Sequence, residues 1–440
     1  MHLLRPAFLW LLSKEWHELL AARAWWLFLL LMGPLVGVSF ISAVNTYAEA
    51  SGLNGTSAGV GEAFSPLVGI WAPTFSACEL AAAFLLPFVV IRLVAGDRQS
   101  GALKIELQHS MPSFTRVAAK CLVLFTGWLI SLLAPMSAVL LWKIYGGSIY
   151  LPELATVATG HLFNAGITIS LASAAAALSE HPATAAILTL TITIGSWIID
   201  FIAAVHGGFW ATIAGYTPTA LVAQFQHGLI RLDVALIALV LTLAGLALAA
   251  IWLRLGIAPP RRVYESMALA ATAGLALSLC TLTNASWDLS ENRMNSFSRT
   301  EEQALHQIHL PVGIEVHLAP EDPRRTDLER RTLSKLRRLL PTLKVQYVAA
   351  TSIGLFEQAS EHYGEIRYDV DGRSAVSRVT TPEGVLEVIF SLAHISPPDS
   401  DDEFRGHPLA ASPKGAGAFF YGIWPCLIAA TGLLAKWRKK

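Results

Sequence analysis

Two acids stand inside otherwise apolar runs, Glu79 in FSACELAAAF and Asp200 in GSWIIDFIAA. An acid at the centre of a bilayer helix costs about 2.5–3.5 kcal/mol, so such residues face a bundle interior and mark a pathway or a fixed contact. Both sit in the outer halves of their runs, where the cost falls. A lining role in a substrate path therefore competes with a structural hydrogen bond or solvation near the surface. Asn164 is a candidate of the same kind. Nothing matches the phosphate-cradling G-x-x-x-x-G-K-[ST] loop, so ATP hydrolysis by that route is excluded. Nor is there a His-Glu-x-x-His or a Cys-x-x-Cys. His181, His206 and His227 stand singly near the ends of apolar runs and read as interfacial contacts rather than metal ligands. The chain reads as a non-enzyme with no metal site of its own.

The densest charge pattern is an island between two apolar runs, Gly96 to Lys120, GDRQSGALKIELQHSMPSFTRVAAK. A simple turn between spans needs only a few residues. This segment carries Arg98, Lys104, Arg116 and Lys120, which suggests a surface for a partner on the side that positive charge selects.

The elements that must position these residues are membrane helices. Of 440 residues, 54% are hydrophobic and 15% charged, with zero formal net charge. Soluble domains carry roughly 25% charged residues. The apolar residues fall in blocks of about 20, the length of a bilayer-spanning helix. Eight spans are expected, near 25–46, 70–94, 121–142, 156–178, 183–205, 233–254, 266–286 and 416–435. Pro34, Pro87 and Pro135 are tolerated there as kinks. Lys and Arg place both chain ends and the island inside: Arg5, Lys14, Arg23, Arg92, Arg254, Arg261, Arg262 and the tail Lys436–Lys440 share that side, against only Lys143 and Arg231 in the short outside loops. The first span reads as an uncleaved anchor. All four cysteines lie in or beside spans, so the outside region has no disulfide framework. Zero net charge gives no sign of a nucleic-acid partner.

Residues 1–24 read as an amphipathic interface helix, with Leu9, Leu12, Trp16, Leu19 and Leu20 apolar and Lys14, Glu15, His17 and Glu18 polar. Residues 25–255 form a six-span core. GIAPPRR (256–262) reads as a break before a linker and seventh span, 256–286. Residues 287–396 read as a small α/β domain. Ser298 and Glu301 form a capping box, VGIEVHL alternates as a half-buried strand, Asp371-Gly372 marks a hairpin, and Pro382 opens a last helix. The order helix, β-α-β, β-β-α is that of a thioredoxin-like domain without redox cysteines. Its basic run, Arg324, Arg325, Arg330, Arg331, Lys335, Arg337 and Arg338, reads as a solvated face or as a contact for anionic lipid or an acidic partner, worth about 1 kcal/mol per charge at an anionic surface. Residues 397–415 read as a flexible tether, and 416–440 as an eighth span with a basic tail.

The residues also match a family. Leu12–Trp16 (LSKEW) resembles the Lys-Glu-aromatic start of ABC-2 type permeases, the membrane subunits of ABC exporters. Asp97-Arg98, Gly101, Met111-Pro112 and Lys120 fall on the pattern of that family's first cytoplasmic loop, and Thr217-Pro218 precedes the sixth span. The resemblance covers about residues 1–255. Asp288, Arg293–Ser298 (RMNSFS), Leu305 and Pro311–Leu318 resemble the start of the auxiliary component of gliding-motility-type ABC systems, here short and fused to the permease. The resemblance implies a multi-pass protein of a bacterial inner membrane, paired with a second permease and driven by a separate ATPase subunit that carries the ATP. Coupling would run through Asp97, Arg98, Gly101, Lys104, Met111, Pro112 and Lys120, with Lys14, Glu15 and Trp16 on the interface helix. The alternatives are a non-transporting scaffold anchoring an extracytoplasmic complex, or a membrane enzyme or proton-coupled carrier; a carrier should show more buried charge and repeat symmetry.

Overall fold

The computed structural model describes residues 4–53, 64–100, 112–206, 208–254, 256–283, 285–319, 322–340, 342–348, 362–398 and 404–437. Two compact units divide the chain: Met1–Asp200, Ile213–Leu289 and Gly406–Lys440 form one, and Phe201–Thr212 with Ser290–Arg405 the other. Eight helices among the described residues are long and apolar enough to cross a membrane. They mark a multi-pass membrane protein.

The first unit opens with α1 (Leu4–Ala21) and α2 (Arg23–Leu53). A π-helical turn, Leu67–Trp71, leads into α3 (Ala72–Phe84), followed by α4 (Leu86–Ser100). Next come α5 (Ser113–Ser131), α6 (Leu133–Ile144), α7 (Leu151–Leu178) and α8 (Pro182–His206). Short α9 (Gly208–Ala214) and α10 (Pro218–Gln226) precede strand β1 (Leu229–Arg231), α11 (Leu232–Trp252) and α12 (Pro259–Cys280). Strand β2 (Ser286–Asp288) pairs antiparallel with β1. Prolines punctuate these helices in two ways. Pro34 lies within α2 without ending it. Pro87 and Pro135 sit just inside α4 and α6, where a missing N–H breaks one span into two helices. Trp71, Trp128, Trp142, Phe28, Phe40 and Phe75 fill the core, all fully buried.

The seventh span differs from its expected bounds of 266–286. It begins at Pro259 and ends at Cys280. The two prolines that read as a break instead occupy the first turn of α12, where their lost N–H has no helical partner to lose. Ser286, expected as the span's last residue, instead opens β2, which pairs with β1.

The second unit contains α13 (Arg299–Leu305), β3 (Val312–Val316), α14 (Pro323–Leu328), a π turn Glu329–Leu333, α15 (Ser334–Leu339), β4 (Lys344–Tyr347), β5 (Ile366–Val370), β6 (Arg373–Ser377) and α16 (Pro382–Ala393). The sheet order is β4-β3-β5-β6, with β3 and β4 parallel and the other pairs antiparallel. Period-two alternation puts Val312, Ile314 and Val316 with Ile366, Tyr368 and Val370 on the buried face. They pack against Leu305, Leu328, Leu333, Leu336, Val385, Ile389 and Phe390. Glu315 and Arg367 pair on the opposite face. The Ser298–Glu301 capping box forms as expected. Asp371 (φ 53) and Gly372 (φ 80) both lie in the left-handed region, the turn geometry that joins β5 to β6.

Asp322 caps α14. It accepts from the Arg324 N–H at 2.9 Å, from the Arg324 guanidinium at 2.8 Å and from the Tyr363 hydroxyl at 2.8 Å. The Arg324 bond holds its carboxyl down at about 2, below its ordinary 3.8. The depressed value sets the sign: the stabilisation is full above pH 4 and lost as pH falls toward about 2. Arg324 is half in solvent, which trims the effect to about 1 kcal/mol. Acid unfolding of the sheet domain should therefore shift upward in Asp322→Asn, by circular dichroism between pH 5 and 2; coincident curves would remove this role.

The last span is α17 (Trp424–Trp437), entered through Ala416–Ala418 and a π turn, Phe419–Ile423. The described part of the expected flexible tether is anchored instead. His407 N–H donates to the Phe64 carbonyl at 3.0 Å, the Tyr47 hydroxyl to the His407 carbonyl at 2.8 Å, Leu409 N–H to Ser51 Oγ at 2.9 Å and the Tyr145 hydroxyl to the Lys414 carbonyl at 2.9 Å. An irregular segment has unpaired backbone groups, and here side chains at the ends of α2 and α6 satisfy several of them.

Candidate functional site

Three segments distant in sequence meet at one end of the membrane unit: α1, the end of α4 and the start of α5. Leu11, Glu15 and Leu19 recur every four residues along α1 and are all buried. Between the leucines, Glu15 is 1% exposed and Oε2 accepts from Lys120 Nζ at 2.5 Å. The same ammonium donates to Asp97 Oδ2 at 2.7 Å. Lys14 adds contacts of 3.1 Å to Glu18, 3.4 Å to Glu15 and 3.7 Å to Asp97. Glu15, Glu18 and Asp97 have oxygens within 4.8 Å of one another, a grouping that could hold a cation. The Lys120 ammonium fills that role. Beside it a cavity of about 30 Å³, room for about one water, is lined by Asp97, Ser113, Arg116, Lys120, Cys121 and Ser173.

Burial pushes the Glu15 carboxyl above its ordinary value, against the opposing pull of Lys120 and Lys14. Desolvation is thus not fully offset by attraction. A buried pair of this kind adds little net stability but fixes geometry, since losing one partner strands the other. The cluster ties the interface helix to both ends of the charged island.

Of the expected coupling residues, the structure brings together Lys14, Glu15, Asp97 and Lys120. Trp16 is half-buried on α1, outside the ion cluster. Pro112 is the N-cap of α5. Arg98 lies on the last turn of α4, with its side chain outside the described ones, and Gly101, Lys104 and Met111 lie outside the described residues. The expected face of α1 is corrected. Glu15 was expected on the polar side, yet it points inward while Leu9 is 64% exposed. The reason is Lys120: a buried ammonium needs an acid within reach, and α1 supplies it. Glu18, read only as part of the polar face of α1, also joins the cluster, at a spacing of four from Lys14.

The two intramembrane acids form a second polar group. Glu79 on α3 accepts from Trp197 Nε1 at 3.3 Å and from Gln226 Nε2 at 3.4 Å. Asp200 on α8 accepts from the Thr217 hydroxyl at 2.9 Å and from the Thr219 hydroxyl. Thr217 also caps α10, so the carboxylate is tied to that helix start. Asn164 is buried on α7, and among the described residues no hydrogen bond joins it to either acid. The long bonds to Glu79 hold it loosely. Glu79→Gln should therefore leave membrane insertion and the thermal unfolding midpoint of the purified chain unchanged. A clear loss of either would make Glu79 a structural contact.

His161 was not singled out by sequence, although it interrupts the span 156–178 as plainly as Asn164 does. It is fully buried on α7, its ring 5.6 Å from that of Phe75, and among the described residues neither nitrogen has a hydrogen-bond partner.

The basic run of the sheet domain is largely turned to internal bracing. Arg337 pairs with Glu329, and Arg338 donates to the Asn295 carbonyl. Lys335 donates to the Ser296 carbonyl at 3.0 Å and lies over the Phe297 ring. Arg325 stacks 4.0 Å from the centre of the Tyr347 ring. Arg330 and Arg331 also take part in interactions within the chain. An anionic surface would have to compete with these contacts.

No protein-family model, no curated protein and no solved structure matches the chain.

Proposed function

We propose that the chain is the membrane-spanning subunit of an ABC exporter, an ABC-2 type permease, driven by a separate cytoplasmic ATPase that docks on loop 96–120. The observation that carries the reading is the buried ion cluster. Asp97 and Lys120 bracket the loop, and both are joined through Glu15 to the interface helix. A loop can transmit a partner's motion to the spans only if its two ends are rigidly held, and this arrangement holds them. Exposed apolar side chains along α8, such as Ile187, Ile192 and Ile198, are available to lipid or to a second permease. In this reading the membrane is a bacterial inner membrane, with the cluster and both chain ends inside. The sheet domain lies outside as a thioredoxin-like module without redox cysteines; its strand order and directions support that shape.

The test is replacement of Gly101 or of residues 103–107. The protein should still insert, while co-purifying ATPase and ATP-dependent flux fall roughly tenfold or more, the loss of about 1.4 kcal/mol or more of docking energy. Normal co-purification with normal flux would remove the coupling role. Normal insertion with no ATPase bound even by the unaltered protein would favour a scaffold.

A further inference from the structure

Two pairs of metal-ligand side chains lie near each other on the polar face of the sheet domain, and nothing in the transport reading uses them. Glu315 and His317 are two residues apart on β3 and its continuation, so they share one face. His362 and Glu365 begin and end a turn in which Glu365 N–H donates to the His362 carbonyl at 3.1 Å. Gly364 between them has φ +86, a conformation that residues with a Cβ rarely adopt. Its N–H donates to the His317 carbonyl at 2.8 Å, while His317 N–H donates to the Glu365 carbonyl at 2.9 Å. Two residues thus oppose one, a glycine β-bulge of the kind that re-aims a side chain. The bulge sets Glu365 against His317, and the turn brings His362 over both. His362 Nδ1 lies 3.1 Å from Glu365 Oε2, His317 Nε2 3.9 Å from Glu315 Oε2, and the two imidazole rings 6.5 Å apart.

The geometry points to a divalent transition-metal site of the zinc type, built from His317, His362 and Glu365 with Glu315 as fourth ligand. Imidazole nitrogens and carboxylate oxygens bind such ions at about 2.0–2.2 Å. The unit has no cysteine, so a thiolate site is ruled out and N/O ligation remains. Closing the ligand set requires the two rings to swing together, and His362, 59% exposed, has room to turn. Two arginines compete for the acids, Arg378 for Glu365 at 3.0 Å and Arg367 for Glu315 at 3.7 Å. Both face solvent, and exposed pairs of this kind contribute under about 1 kcal/mol, so a dication can displace them.

The experiment uses the full chain in detergent, stripped with a chelator and titrated with Zn²⁺ against a chromophoric competitor, with Mg²⁺ as control. One Zn²⁺ per chain is expected, with Mg²⁺ failing to compete because it disfavours imidazole ligands. His362→Ala and Glu365→Gln should each weaken binding roughly tenfold or more. His306→Ala and His309→Ala, in the same unit but away from the turn, should leave it within about twofold. His362 is exposed, so its loss should leave the far-UV dichroism unchanged. Absence of saturable binding, unchanged affinity in the two ligand variants, or equal losses in the two control variants would each overturn the site. Metal binding is read without any transport measurement, so this result stands apart from the ATPase reading.

Discussion

Lys120→Met is expected to destabilise the membrane unit by about 3–5 kcal/mol, because it leaves Glu15 and Asp97 buried without their shared cation. Glu15 is 1% and Asp97 6% exposed, so water cannot take over. Lys14 offers some relief: its ammonium already lies 3.4 Å from Glu15 and 3.7 Å from Asp97, which should hold the loss to the lower end of that range. The triple variant Glu15→Gln, Asp97→Asn, Lys120→Met should recover most of the stability, since no buried charge is then stranded. In the exporter reading it should still fail to couple, because the rigid joint between α1, α4 and α5 is gone. Thermal unfolding of the purified chain in detergent, followed by tryptophan fluorescence, separates the two effects. A single variant as stable as the parent would show that the cluster fixes nothing. A triple variant no better than the single one would show that the loss comes from packing of the Lys120 stem rather than from charge.

The parts of this architecture that rest on local rules were legible in sequence. The spans follow from apolar length alone, and the capping box at Ser298, the hairpin at Asp371-Gly372 and the β3 alternation from short patterns. Positions decided by partners far along the chain were not. Glu15 looks like a surface residue until Lys120, 105 residues away, is set beside it. The tether reads as flexible because it is acidic and rich in glycine, proline and alanine, yet the backbone groups of His407, Leu409 and Lys414 find Phe64, Tyr47, Ser51 and Tyr145. The basic run gives the same lesson. Its charges were visible, but only the fold shows Glu329, Tyr347 and the Asn295 and Ser296 carbonyls taking them up. The E-x-H and H-x-x-E pairs of the sheet domain are unremarkable apart, and the glycine bulge is what aligns them. Pro259-Pro260 shows that even a correct residue cue can be assigned the wrong role, since proline both ends and begins helices.

Gly33→Val and Gly37→Val are expected to split the last span from the first. The two glycines stand four apart on α2, the small-residue spacing that lets membrane helices approach closely. A Cβ on Gly33 would lie 2.1 Å from Trp424 Cδ1, and one on Gly37 2.5 Å from Phe420 Cβ. Neither aromatic can step aside. Phe420 is fully buried, and Trp424 donates its indole N–H to the Leu29 carbonyl at 2.8 Å. Overpacking of this kind costs about 1–3 kcal/mol per site, and more where the neighbours are held. This spacing often marks a self-association face, but here α17 occupies it, so a second copy of the chain would have to use another surface. The clash can be tested by shrinking its partner. Trp424→Ala alone should destabilise by about 3–5 kcal/mol through the cavity it leaves. Combined with Gly33→Val it should cost less than the sum, because the added methyls fill that cavity. Thermal unfolding of the four proteins in a double-mutant cycle gives the coupling, and protease nicking within 397–415 reports whether α17 has come away. Strict additivity, or a Gly37→Val protein as stable and as protease-resistant as the parent, would mean that α17 is not seated on α2 through these glycines.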